Sequence, residues 1–80
     1  MIRFKDIRNL ISKVDIVEII LVNGECETFD NISDVPTEYD NLPVKGIGTV
    51  DALVDEDYKR AQEIYLDNSN QVAITIKEKD

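Results

Sequence analysis

Eighty residues, 42% of them hydrophobic and 32% charged, make one globular domain and exclude a disordered tail. With no histidine and one cysteine, the chain excludes Ser-His and Cys-His nucleophilic systems, His-ligated metals and an internal disulfide framework. The net charge of −8 is unevenly spread. Residues 1–14 carry Arg3, Lys5, Arg8 and Lys13 against Asp6, and residues 15–57 carry twelve acids against Lys45 alone. A block this acidic repels nucleic acid and steers a basic partner toward itself.

In chain order, residues 3–13 place Phe4, Ile7, Leu10, Ile11 and Val14 at helical spacing, which predicts a short amphipathic helix. Its charged start, without an apolar run before a small-residue cleavage site, predicts no signal peptide. Residues 15–30 predict a β-hairpin turning at Asn23-Gly24, a dipeptide tolerant of φ > 0 at both positions. With Val22 and Glu25 flanking a two-residue turn, Leu21 faces Cys26, Ile19 faces Thr28 and Val17 faces Asp30. Alternation then puts Val17, Ile19, Leu21, Cys26 and Thr28 on the core face. Ile16, Ile20, Val22 and Phe29 fall with Glu18, Glu25 and Glu27 on a mixed second face.

Residues 33–40 predict a short helix capped by Ser33 or Asp34, with Pro36 tolerated in its first turn. Tyr39 and Leu42 reach back to the core from there, and Pro43 ends the segment. Residues 44–51 predict a strand whose Gly46 and Gly48 mark a bulge or a close approach. Residues 52–66 read two ways. A helix has an acidic first turn and Val54, Tyr58, Ala61 and Tyr65 on one face; a strand over 63–66 pairs instead with a strand over 71–77. The balance favours the strand, after a turn or short helix over 52–60. The expected fold is α+β: a small, mainly antiparallel sheet with an N-terminal helix and one or two short helices packed on one face.

Chemistry-bearing constellations are sparse. Gly46-x-Gly48 lacks the further residues of a phosphate loop. Counted as a calcium loop from Asp55, the sixth position is Arg60 and the twelfth Leu66, where glycine and glutamate are required. The longest apolar run, Ile19–Val22, is too short to cross a bilayer. No catalytic, cofactor or metal residues are therefore expected, and a soluble cytoplasmic binding protein is. Its candidate partner-binding residues are the acids Glu25, Glu27, Asp30, Asp34, Glu38, Asp40, Asp51, Asp55, Glu56 and Asp57. Arrayed on a rigid sheet, such carboxylates imitate a phosphate backbone.

The basic N-terminal helix, then Val17, Ile19 and Asn23-Gly24-Glu25, then ISDVPTEYDNLPVKGI (Ile32 to Ile47) resemble small acidic proteins of phages and mobile elements of Gram-positive bacteria. The resemblance covers residues 3–50; after Val50 the chain is longer and more acidic than that pattern. It implies an accessory protein that evades host defence, of a group that includes anti-CRISPR inhibitors. Such a protein binds, without enzymatic activity, a host protein with a basic nucleic-acid-binding surface; it binds no nucleic acid directly and no membrane. The alternative is a self-associating assembly module, a homodimer joined through an exposed sheet edge or the mixed face.

Overall fold

The computed structural model describes residues 1–69, and the strand expected over 71–77 lies outside the described residues. Four strands form one open sheet: β1 (Ile16–Leu21), β2 (Cys26–Phe29), β3 (Val44–Val54) and β4 (Asp57–Leu66). Their spatial order is β2-β1-β4-β3. The outer pairs are antiparallel, but central β1 and β4 run parallel, from Ile16↔Ala61 to Leu21↔Leu66. The architecture is α+β with the sheet dominant, and the sheet, expected to be mainly antiparallel, has two antiparallel pairs and one parallel pair at its centre. Burial explains the centre. Val17, Ile19, Ile64 and Leu66 are at most 1% exposed, so the two strands that carry the deepest side chains of the sheet lie side by side under one cover.

The β1–β2 hairpin departs from expectation by one residue. Ile20 pairs with Cys26, Ile19 with Glu27, Glu18 with Thr28 and Val17 with Phe29. The loop is Val22-Asn23-Gly24, closed by the Leu21 N–H donating to Glu25 O at 2.8 Å and the Gly24 N–H donating to Leu21 O at 3.0 Å. Gly24 alone takes positive φ, +94°, and the Asn23 side chain accepts from the Glu25 N–H. A three-residue loop ending in a left-handed glycine thus replaces the two-residue turn. Because side chains alternate, that slip turns β2 over. Cys26 and Thr28 leave the core face; Phe29 joins it, with Glu25 and Glu27 beside it.

The cover over the core face is thin. Helix α1 spans only Phe4–Arg8, against an expected 3–13, and Leu10 and Val14 are 80% and 79% exposed rather than buried. Its leading N–H groups find acceptors outside the helix: Phe4 donates to Leu42 O and Lys5 to Asp40 O, each at 3.0 Å. The helix expected over 33–40 resolves into two 3₁₀ turns, Ile32–Asp34 and Thr37–Tyr39, parted by Val35-Pro36. Asn31, and neither Ser33 nor Asp34, caps the first by accepting from the Ser33 N–H. Phe4, Ile32, Val35, Tyr39 and Leu42 close over Val17, Ile19, Ile64 and Leu66.

Residues 52–66 are strand almost throughout: the turn or short helix expected over 52–60 is strand on both sides of a tight turn, and 63–66, expected to pair with 71–77, have both sides taken by β1 and β3. β3 and β4 form a long hairpin around Asp55-Glu56, whose φ values of 51° and 71° suit a two-residue turn of the I′ kind. The expected bulge is present, between Val44 and Gly46. A Cβ on Gly46 would lie 3.9 Å from Tyr65 and one on Gly48 3.4 Å from Glu63, so contact distance does not demand glycine at either. The hairpin outruns β1, which starts opposite Ala61, and leaves Leu53 and Tyr58 62% and 75% exposed at its far end. Among the described residues no helix is long and apolar enough to cross a membrane.

Candidate functional site

The reversed register of β2 builds the most distinctive surface. Phe29 sits opposite Val17 under the 3₁₀ layer, whereas Glu27, opposite Ile19, and Glu25 lie toward the loop and stay exposed. Tyr39, buried to 8% exposure, lies against this edge and its hydroxyl donates to Glu27 Oε2 at 3.1 Å. Burial above all, then the bond to Glu27 and the charges of Glu27, Glu38 and Glu25, push the phenol up to about 12. Three of the candidate carboxylates therefore gather round one hydroxyl. Beside them opens a pocket of about 500 Å³ lined by Ile19, Leu21, Glu25, Cys26, Glu27 and Tyr39. Its floor is aliphatic and its rim acidic.

Asp30 and Asp34 continue this flank, both exposed, on the chain just beyond β2 and in the first 3₁₀ turn. No Lys or Arg occurs between Lys13 and Lys45. Asp40 is different. Arg8 grips it, with Nε at 2.9 Å and Nη2 at 2.7 Å from Oδ1, and the same guanidinium donates to the carbonyls of Ile32, Val35 and Pro36. Its carbon lies 4.8 Å from the centroid of the Phe4 ring. Arg8 thus ties the 3₁₀ layer to α1, a role in which a planar fork with five donors has no equal.

The remaining candidates lie elsewhere. Asp51, Asp55, Glu56 and Asp57 belong to the β3–β4 hairpin, and β3 is the edge opposite β2. Asp51 faces Arg60 across the strands. Asp55 and Asp30 line one cleft of about 740 Å³ at the end of the sheet, together with Lys13, Lys59 and Arg60. The ten acids do not make one continuous face. Most divide between a β2 flank poor in cations and a hairpin tip mixed with them, and Asp30, just past β2, meets the tip in the mixed cleft.

Cys26, expected in the core, is exposed on the face of the sheet turned away from the core and its Sγ lies 3.4 Å from Glu18 Oε1. Desolvation and then the hydrogen bond to Glu18 push its thiol up, the opposite of activation. Asp15 and Gln62 went unremarked in the sequence. Asp15 is 4% exposed and accepts from Gln62 Nε2 at 2.9 Å, while Thr49 Oγ1 donates to Gln62 Oε1, so the chain of bonds joins β3, β4 and the start of β1. Among the described residues no three Asp, Glu or Cys side chains group as metal ligands. No family model, curated protein or solved structure matches this chain.

Proposed function

We propose that the protein works by stoichiometric binding to a protein with a basic, nucleic-acid-binding surface, and that it blocks that surface as an anti-CRISPR inhibitor does. The observation that carries this reading is the pocket on the β2 flank, with Ile19 and Leu21 as floor and Glu25 and Glu27 as rim. Lysine and arginine have the matching two-part chemistry, an aliphatic stem and a charged head. A basic side chain of the partner lays its stem on the floor and its head among the carboxylates. Asp34 and Glu38 extend the same field and steer the encounter. The reading assigns the contact to this flank and not to the hairpin tip, where Lys13, Lys59 and Arg60 offset the acids.

The test is capture of partners from a host-cell lysate on the tagged protein at low and high salt, followed by challenge with duplex DNA. The expected result is a nucleic-acid-binding protein held at low salt and released both by salt and by DNA. A partner indifferent to salt and DNA, or no partner at low salt, would overturn the reading.

A further inference from the structure

We infer that β3 pairs with β3 of a second copy of this chain, antiparallel about a two-fold axis at Val50, to join two sheets into one continuous sheet. β3 is an edge, and among the described residues its outer side beyond Val44, whose N–H donates to Ile2 O at 2.9 Å, meets no other strand. Edge strands are ordinarily shielded by proline, bulges or repeated lysines. Past its bulge at Val44/Gly46, β3 has none of these through Val54, and it exposes Ile47, Val50 and Leu53 to 54%, 44% and 62%.

Self-complementarity fixes the occupant and the register. A two-fold at Val50 sets residue i opposite 100 − i of the partner copy, and side chains directly opposite share a face. Ile47 then meets Leu53 twice and Val50 meets Val50. Thr49 meets Asp51 twice, a hydroxyl beside a carboxylate. Lys45 in the bulge and Asp55 in the turn lie outside the regular part of this pairing. Neighbouring registers are poorer. An axis at Asp51 opposes two carboxylates, one at Thr49 sets Asp51 against Ile47, and one at Gly48 leaves Val50 against Gly46. The pairing is independent of the β2 flank, which it leaves at the two outer ends of the joined sheet.

The test uses cysteines at chosen strand positions in a Cys26→Ser background. Directly opposed residues on antiparallel strands lie about 4.5–5.5 Å apart at Cα, within disulfide reach. Val50→Cys is expected to oxidise to a covalent dimer in high yield. Leu53→Cys, whose copy in the paired sheet lies roughly 20 Å away along the strand, stays uncrosslinked. Light scattering on the unmodified chain should show a dimer, and Val50→Lys, which opposes two like charges at the axis, should weaken it at least tenfold with the circular dichroism unchanged. A monomer at every concentration, equal crosslinking at both positions, or a dimer untouched by Val50→Lys would each overturn the pairing.

Discussion

Arg8 shows how a residue's role is set by what the chain brings to it. In the sequence it is one of four bases on an amphipathic segment, as suited to a solvated face as to a ligand. In the fold it holds Asp40 and three carbonyls of the 3₁₀ layer. Arg8→Ala should therefore cost about 2–4 kcal/mol in urea unfolding, because a half-buried carboxylate and several carbonyls lose a charged donor together. Arg8→Lys keeps the charge but not the fork and should recover less than half. Full recovery by lysine would show that charge alone matters. Tyr39 makes a second, pH-dependent prediction. Its folded pKa lies above its ordinary value of 10, so its contribution is whole below pH 10 and fades as pH rises toward 12. Tyr39→Phe should cost about 1 kcal/mol at neutral pH. Stability curves of the two proteins should converge between pH 10 and 12, and parallel curves would contradict the buried bond to Glu27.

At the scale of elements, the buried strand segments were legible, whereas the turns and the strand over residues 52–60 were not. The β-branched alternation of residues 16–21 marks β1, and Ile64 and Leu66 share a buried face as their spacing requires. Asn23-Gly24, the strongest turn signal in the chain, closes a three-residue loop. The tight two-residue turn falls instead on Asp55-Glu56, a pair with no turn signature and an acidic composition that suits a helix N-terminus equally well. Local preference yielded there to the pairing of ten residues on each side. Glutamate at φ 71° is strained, so Glu56→Gly should stabilise the fold by about 0.5–1 kcal/mol, as read by thermal unfolding. The slipped register has its own test. Cys26, exposed on the face turned away from the core, should react fully with a thiol reagent in the folded protein, though slowly at neutral pH since desolvation and Glu18 hold it protonated. Reaction only on unfolding would return Cys26 to the core face.

For the whole molecule, the parallel β1–β4 pair decides what the surface looks like. It seats the β3–β4 hairpin on the far side of β1 from β2, so Glu25 and Glu27 lie on the edge opposite Asp51, and only Asp30 and Asp55 meet, in the cleft at the end of the sheet. Composition revealed the acidic block but not its division, since strand order is a long-range property that no local pattern encodes. Nor could it reveal that Asp40 is already paired, or that Glu25 and Glu27 flank an aliphatic pocket instead of lying with Ile16 and Ile20 on the other face. Binding is therefore expected to depend on one flank only. The direct measurement compares capture of a salt-sensitive partner by two charge-reversed proteins of equal net charge. Glu25→Lys with Glu27→Lys should abolish capture, whereas Glu56→Lys with Asp57→Lys should leave at least half of it. Equal loss from both pairs would mean that only overall charge matters, and loss from the hairpin pair alone would place the contact on the opposite edge of the sheet.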